Sequence, residues 1–370
     1  MAANTEHSAR EPFVRIVERG RVKPLYGILI RAAAILLAAL VTFLVVEAVG
    51  GFSFKDTAKY LYEGAFTNSI KINSYAKEVC MLLFFAIALA PAFKMRFWNI
   101  GAQGQVLVSG LVTAALMYYF GNKLPNGVLL PIMIVASVAA GALWAGIPAV
   151  FRVKYSTNET LFTLMMNYVA IQLVACMCDL WKGQKSSLGI IDRKAGALSA
   201  LFGTKYGWVY LLTAVFTIAM FFYMNRTKHG YEISVVGESI NTARYVGIND
   251  KSVIVRTVAL SGAICGLIGF LYVSCINRTI STTTGGSYGF TAIIVAWLAK
   301  FNPIFMTLIS ALLAFLQVGS IELVNNNGNL NPSIGDIIIS IFLFFILGCE
   351  FFINYRLVFN FGHKGKGDHQ

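Results

Sequence analysis

The chain has 370 residues, of which 57% are hydrophobic and only 13% are charged, and its formal net charge is +13. Because a soluble domain carries roughly 25% charged residues, this composition excludes an ordinary soluble protein and indicates a chain immersed in lipid. The basic residues lie in short loops between apolar runs, where membrane orientation and anionic lipid account for them. We therefore expect contact with membrane lipid and no nucleic-acid partner.

Apolar runs of membrane-spanning length follow one another along the chain. The first run, 26–49, is longer than a signal-peptide core and is predicted to remain as a membrane helix. The pattern predicts an all-α fold: a polytopic transmembrane helical bundle of about ten spans in two related halves, with some helices short or broken. The candidate spans are 26–49, 79–93, 103–120, 127–150, 158–180, 207–224, 252–275, 288–300, 303–324 and 334–354.

The loops that alternate along the chain differ in their content of Lys and Arg. The positive-inside rule places the richer set, and with it the amino terminus, in the cytoplasm of a plasma or inner membrane. An even number of spans returns the carboxyl terminus to the same side. The predicted organisation is a basic cytoplasmic tail (1–24), a transmembrane domain (25–355) with a cytoplasmic segment (225–251), and a second cytoplasmic tail (356–370).

Two spans are predicted to be short, and both run into a break. The span 79–93 leads into a stretch that contains Arg96, Trp98 and Asn99, and the span 288–300 leads into Asn302. Each break places a cation, an aromatic residue and an Asn beside Gly or Pro. Paired breaks of this kind are typical of transporter binding sites, because an unwound backbone at membrane depth must face protein or water.

Polar side chains near these breaks have two interpretations. Asn99, Gln103 and Gln105 can hydrogen-bond the hydroxyls of a sugar or the edge of a base, or they can cap broken helix ends. Asn158 and Glu159 begin a span, so helix capping is the favoured explanation for them.

Other residues predicted to lie at membrane depth also have two interpretations. Asn167 lies within a span, where a hydrogen bond between helices and a place along a pore are equally expected. Trp98 and Trp297 can stack against a base or a sugar, although packing or interfacial anchoring is the simpler function. Gly262 and Gly266 form a Gly-x-x-x-Gly pair that predicts a close helix crossing.

The segment 225–251 is long, polar and predicted to be cytoplasmic. Its pattern predicts a short helix that Asn241 caps and that ends at Gly247. Such a helix suits docking of a soluble partner, and an ordinary loop helix is the alternative.

Several chemical signatures are missing from the sequence. There is no Gly-x-x-x-x-Gly-Lys-Ser/Thr loop, no His-Glu-x-x-His motif and no carboxylate pair within a span, and the six cysteines form no C-x-x-C pair. We therefore expect neither an enzyme nor a metal site, and any ATP hydrolysis must take place in another chain.

Four motifs occur in order along the chain: Asn99–Gln105, Asn158–Tyr168, Ala243–Asn249 and Gly289–Pro303. Together they resemble the ABC importer permeases for simple sugars and nucleosides, the branched-chain amino acid type of permease. The resemblance covers roughly residues 75–350 and is closest to the larger of two paired nucleoside permeases.

This resemblance implies a permease subunit of an ATP-driven importer, which forms the translocation path for nucleosides or simple sugars. It implies a separate ABC ATPase subunit, a second and non-identical permease, an external substrate-binding lipoprotein, and no cofactor on this chain. The residues expected along the substrate path are Asn99, Gln103, Gln105, Asn158, Glu159, Asn167, Trp297 and Asn302. The residues expected to couple to the ATPase are Gly237, Glu238, Ala243, Arg244, Tyr245 and Gly247.

The sequence departs from the family pattern at two places. Gln103 stands where members often have Glu, and Trp297-Leu298-Ala299 stands where they have Leu-Leu-Gly. The alternative is a secondary transporter that works alone, for which broken spans are equally expected. It needs an ion or proton site, and the spans as predicted contain no His and no carboxylate near their centres.

Overall fold

A computed structural model of the protein describes residues 14–19, 24–183, 188–191, 194–326, 331 and 333–359. Residues 1–13 and 360–370 of the two predicted tails lie outside this described part. The helices are α1 (Pro24–Gly50), α2 (Phe54–Phe66), α3 (Ser69–Lys94), α4 (Ala102–Phe120), α5 (Asn126–Tyr155), α6 (Glu159–Lys182), α7 (Gly207–Arg226), α8 (Lys228–Glu238), α9 (Ile240–Tyr245), α10 (Asp250–Leu271), α11 (Tyr288–Leu298), α12 (Pro303–Asn326) and α13 (Ile334–Asn354). The strands are β1 (Val14–Glu18) and β2 (Tyr355–Phe359), and a π-helical turn (Tyr272–Ile276) continues α10.

The helical membrane bundle expected from the sequence is confirmed. Within the described residues, eight helices are long and apolar enough to cross a bilayer, and they match eight of the predicted spans. The other two predicted spans correspond to α4, with 19 residues, and to α11, with 11 residues. Neither is among the eight, because α11 is short and α4 carries two glutamines in its first turn.

The predicted span 79–93 is too short, because it covers only the second part of α3. α3 has 26 residues and begins at Ser69, because the side chain of Asn68 accepts a hydrogen bond of 2.9 Å from the backbone N–H of Lys71. The polar residues before position 79 lie outside the predicted span 79–93. In the structure they form the first turns of a helix whose apolar part, from Met81 to Phe93, is buried throughout.

Two compact units are present, and the first comprises residues 1–60 and 323–370. In its described part, α1 packs against α13, and β1 pairs antiparallel with β2 in a register from Val14↔Phe359 to Glu18↔Tyr355. The guanidinium of Arg31 on α1 contacts the carboxylate of Glu350 on α13, with a hydrogen bond of 3.0 Å from Nε. A charged residue at membrane depth needs such a partner.

The second unit comprises residues 61–322. α3 and α10 lie at its centre, since 72% of the membrane window of each is buried, compared with 22–28% for α5, α6 and α7. A central helix must pack on all sides, which explains why α3 is apolar around its whole circumference rather than along one stripe.

Glycines allow the backbones of α5 and α10 to touch. A methyl group added at Gly141 on α5 would overlap the carbonyl of Gly262 and lie 2.9 Å from Cα of Gly266, both on α10. The predicted Gly-x-x-x-Gly crossing is thus confirmed, with Ala145 as a further small residue in contact.

We predict that Gly141→Ala destabilises the protein, because the overlap is with backbone atoms that have no room to move. Overpacking of this kind costs about 1–3 kcal/mol. Gly146→Ala is the matched control, because nothing lies within 4 Å of an added methyl on the same helix. Thermal unfolding of the purified variants in detergent measures the difference, and equal unfolding temperatures for the two variants would contradict the assigned crossing.

Candidate functional site

The helical structure is interrupted between α3 and α4, as the sequence predicted. α3 ends at Lys94, Arg96 just beyond it has a left-handed backbone with φ of +60°, and the N–H of Phe97 donates to the carbonyl of Ala92 at 3.0 Å. This is the hydrogen-bond pattern of a Schellman helix end. The chain then turns at Asn99 and enters α4 after Gly101.

α4 begins at membrane depth rather than at the surface. The side chain of Asn167 on α6 accepts from the N–H of Gly104 and donates to the carbonyl of Ile100, both at 2.8 Å. Asn167 lies eight residues after the first residue of α6, which places it about 12 Å along that helix. Of the two interpretations of Asn167, the hydrogen bond between chain segments is the one observed.

Asn99 and Gln105 form a buried amide pair at this break. The Oδ1 of Asn99 accepts from the N–H of Gly101 at 3.1 Å and from Nε2 of Gln105 at 3.0 Å. Both side chains are almost fully buried, at 0% and 1% exposure. Nδ2 of Asn99 and Oε1 of Gln105 have no partner, so one donor and one acceptor of this buried pair are unsatisfied.

The second break, between α11 and α12, ends in the same way. Lys300 and Phe301 have left-handed backbones, with φ of +50° and +59°, and the N–H of Phe301 donates to the carbonyl of Ala296 at 2.9 Å. The Oδ1 of Asn302 accepts from the N–H of Ile304 at 3.0 Å, so Asn302 serves the start of α12. The short α11 predicted here is confirmed.

The structure brings the two breaks together. The rings of Trp98 and Trp297 lie 5.2 Å apart, and both side chains are partly exposed. At the other end of α11, a methyl group added at Gly289 would lie 3.2 Å from the backbone nitrogen of Gln103. Trp98 and Gln103 therefore contact opposite ends of α11.

Asn158 and Glu159 occupy the start of α6, where capping was the favoured explanation. The Oδ1 of Asn158 accepts from the N–H of Leu161 at 3.2 Å, and a carboxylate oxygen of Glu159 lies 3.1 Å from Nε of Arg152 on α5. These two side chains hold the turn between α5 and α6.

Segment 225–251, predicted to be cytoplasmic, contains two short helices, α8 and α9, rather than one. Ser239 ends α8 and caps α9, since its hydroxyl accepts from the N–H of Thr242 at 3.2 Å. The prediction that Asn241 caps this helix was therefore wrong, because it lies inside α9. Gly247 terminates the short helix α9 as predicted, with φ of +79°, and the N–H of Ile248 donates to the carbonyl of Ala243.

The predicted coupling residues divide into buried and exposed groups. Ala243 is fully buried, and Gly237 is packed so closely on the end of α3 that an added methyl would overlap the carbonyl of Lys94. The side chain of Tyr245 is 94% exposed. The exposed members are Glu238, Arg244, Tyr245 and Gly247.

Two ion pairs join this segment to α10. Arg244 donates twice to the carboxylate of Asp250, at 3.1 and 2.8 Å, and Nη2 of Arg256 donates to Glu232 at 2.7 Å. The hydrogen bond from Arg256 lowers the pKa of the Glu232 carboxyl, and the one to Asp250 raises the pKa of Arg244. The Glu232 pair therefore persists at neutral pH and is lost only as the pH falls through the lowered pKa.

The structure adds a carboxylate that the sequence prediction had placed outside the membrane. Glu78 lies nine residues after the start of α3, about 14 Å along it, and its Oε1 is 2.6 Å from Nζ of Lys77. Its other oxygen is buried without a partner, as is the hydroxyl of Tyr272. The signal that could have revealed it is Asn68, a helix cap ten residues upstream.

Comparison with known proteins gives a family and several relatives. Residues 71–347 match the family described as branched-chain amino acid transport system / permease component. The guanosine ABC transporter permease NupP of Bacillus subtilis is 26% identical over 88% of this chain and 94% of its own length. The glucose ABC transporter permease TsgB13 of Haloferax volcanii is 26% identical over 88% and 90%, and the guanosine ABC transporter permease NupQ of Bacillus subtilis is 26% identical over 65% and 76%.

No solved structure matches the chain. The family match covers most of the chain and includes both breaks and the cytoplasmic segment. The chain therefore belongs to the branched-chain amino acid transport system permease family, as a membrane-spanning permease component rather than as an enzyme.

Proposed function

We propose that this chain forms the translocation path for nucleosides, or for simple sugars, in an ATP-driven importer. The observation that carries the proposal is the contact of Gly237 with the backbone of Lys94, because it joins an exposed cytoplasmic segment to a helix that ends at a break. A partner that binds the segment can thereby act on the break. The names of NupP and TsgB13 support a nucleoside or sugar as the solute.

The partner at the cytoplasmic segment is an ABC ATPase, which hydrolyses the ATP. Tyr245 projects from α9 almost fully into solvent, and exposed aromatic residues of this kind are common anchors at protein interfaces. Glu238, Arg244 and Gly247 lie on the exposed side with it, while Gly237 and Ala243 hold the segment against the chain.

The solute passes near the two breaks. The unpaired donor on Asn99 and the unpaired acceptor on Gln105 suit a neutral ligand that carries both kinds of group, as nucleosides and sugars do. Gln103 and Trp297 lie beside opposite ends of α11, close to the two breaks, and Asn167, Asn158, Glu159 and Asn302 keep the surrounding helix ends in place.

The assembly contains a second, non-identical permease and an external binding lipoprotein that delivers the solute. The presence of two guanosine permeases from Bacillus subtilis among the relatives supports the paired arrangement. Both termini lie in the cytoplasm of a plasma or inner membrane. The antiparallel pairing of β1, before the first span, with β2, after the last, supports two termini on one side.

Uptake by sealed vesicles tests the function directly. We predict that vesicles containing the chain with its partners accumulate a nucleoside or a sugar only when ATP is supplied, because the energy enters through the ATPase. Uptake that needs a proton gradient instead of ATP, and that Glu78→Gln abolishes, would favour the secondary transporter, since Glu78 is a membrane carboxylate with an unpaired oxygen.

We predict that Tyr245→Ala uncouples the importer while the chain stays folded, because this side chain is 94% exposed. Loss of an anchoring aromatic residue costs about 2 kcal/mol of binding, or roughly 30-fold in affinity for the ATPase. ATP-dependent uptake and co-purification of the ATPase measure the effect. Phe202→Ala, at 74% exposure outside this segment, is the control, and equal loss in both variants would contradict the docking surface.

We predict that Gln105→Met raises the KM of uptake about 2–10-fold, because the exchange keeps the volume and removes Oε1, the one acceptor of Gln105 left for a solute. Gln317→Met, the same exchange on α12, is the control and leaves the KM unchanged. A KM that stays constant in Gln105→Met while the unfolding temperature falls would assign Gln105 to structure alone.

A further inference from the structure

Glu78 is an ionisable residue in a membrane-spanning helix, and only one of its two carboxylate oxygens is engaged. Oε1 lies 2.6 Å from Nζ of Lys77, whereas Oε2 is buried with no partner. An ionisable group within a span is costly and marks a functional site by default, and a buried acceptor without a donor adds to the cost. The contact with Lys77 accounts for Oε1 alone, so Oε2 calls for a partner from outside the chain.

The hydroxyl of Tyr272 is another unsatisfied group in the same part of the molecule. Tyr272 is the first residue of the π-helical turn that continues α10, it is only 6% exposed, and its hydroxyl has no partner. The charge of Glu78 acts on this hydroxyl. π-helical turns are rare and occur frequently at functional sites. A buried acceptor on α3 and a buried donor on the π-helical turn therefore lie near each other.

Aromatic side chains lie on the same side of α3 as Glu78. Phe85 follows Glu78 by two helical turns, which places both residues on one face of the helix. A methyl group added at Gly285 would lie 3.5 Å from the ring of Phe85 and 4.0 Å from the ring of Tyr272, and the rings of Phe85 and Tyr288 are 6.2 Å apart. Aromatic surface with a few polar groups is the usual lining of a small-molecule site.

Polar groups lead from the surface of the protein to Glu78. Nζ of Lys205 lies 4.7 Å from the ring centre of Tyr206, and Nζ of Lys77 lies 5.8 Å from the same centre. Lys205 is exposed, while Tyr206 and Lys77 are partly exposed. Because Lys205 and Tyr206 immediately precede α7, this polar route starts at the end of α7 opposite to segment 225–251.

The charges at this position favour a neutral ligand. Lys77 already neutralises Glu78, so a cation at Oε2 would be repelled by the neighbouring ammonium group and an anion by the carboxylate. A hydroxyl group both donates and accepts hydrogen bonds, so hydroxyls satisfy Oε2 and the Tyr272 donor together. Sugars and the ribose of a nucleoside carry several hydroxyls on one ring.

We propose that Glu78 and Tyr272 form a hydroxyl subsite, where Oε2 accepts a hydrogen bond from a sugar or ribose hydroxyl of the solute and Tyr272 donates one. The proposal rests on the proposed function, which supplies the solute, and it adds the part of the solute that is recognised. Glu78 lies roughly 24 Å along α3 from Lys94, so a solute that enters beside Lys205 meets the hydroxyl subsite before the breaks. Because both atoms are buried in this structure, the solute reaches them in a more open conformation.

Uptake of adenosine and of its monodeoxy analogues by ATP-supplied vesicles tests the hydroxyl subsite. Glucose and its monodeoxy analogues take their place if the vesicles accumulate a sugar. For the unaltered chain, we expect the analogue that lacks the recognised hydroxyl to have a KM about 2–10-fold above that of the parent compound. Tyr272→Phe raises the KM of the parent by about the same factor and leaves that of this analogue unchanged, because the hydrogen bond is already missing.

Two further variants separate recognition of the solute from support of the fold. Glu78→Gln keeps the shape and removes the charge, and it is expected to reduce discrimination against a deoxy analogue while uptake still needs ATP. Tyr210→Phe is the matched control, because its hydroxyl donates to the carbonyl of Asn73 at 2.9 Å. This control is expected to lower the unfolding temperature and to leave the ratio of the KM values for parent and analogue unchanged. Tyr272→Phe is expected to do the opposite.

Other results overturn the proposal. If Tyr272→Phe and Glu78→Gln leave the KM of the parent unchanged, or raise it equally for the parent and every analogue, the two groups bind water alone or serve the fold. A lower unfolding temperature for Tyr272→Phe would show that the hydroxyl has a partner within the protein. Absence of uptake by the unaltered chain would reject the proposed function and the hydroxyl subsite with it, whereas normal uptake with unaltered discrimination in both variants would reject the hydroxyl subsite alone.

Discussion

The need to satisfy backbone polar groups inside the bilayer governs the rest of this structure. α4 begins within the membrane, where an unpaired N–H or carbonyl cannot be compensated by water. Asn167 supplies one acceptor and one donor to the backbone of Gly104 and Ile100, and Thr163 accepts from the N–H of Ile100 at 3.2 Å. Two side chains of α6 thus make a break possible at a depth where it would otherwise be forbidden.

Small residues pack α4, α5 and α10 closely together, and this packing supports the helices next to the break. α5 and α10 touch through Gly141, Gly262 and Gly266, and α10 also meets α4, where a methyl group added at Gly269 would lie 2.7 Å from the backbone nitrogen of Gly110. These contacts leave no space for sliding, since they join backbone to backbone. The path-opening motion of the proposed importer therefore falls at the helix ends around the breaks, where side chains carry the contacts.

Sequence patterns predicted the features that depend on local chemistry. The order of the apolar helices, the short α11 and the end of the cytoplasmic segment at Gly247 follow from hydropathy and from the glycine, and they were found. The start of α3 was missed, because Glu78 and its polar neighbours are tolerated in a helix only by pairing and partial burial that a linear pattern does not contain. The orientation of Asn99 and Gln105 toward each other depends on the turn at Gly101, and a hydropathy pattern does not show how that turn directs the side chains.

The strain in the breaks indicates how they can respond to a partner. Three helix ends on this chain, at Arg96, Lys300 and Gly247, close with the same backbone hydrogen bond, but glycine adopts the left-handed conformation without cost. A residue with a Cβ spends roughly 1–2 kcal/mol to do so. The breaks at Arg96 and Lys300 are therefore maintained by their surroundings, and the closest of these is the contact of Gly237 with Lys94. In the proposed importer, a force applied at segment 225–251 reaches Lys94, two residues before the strained turn at Arg96.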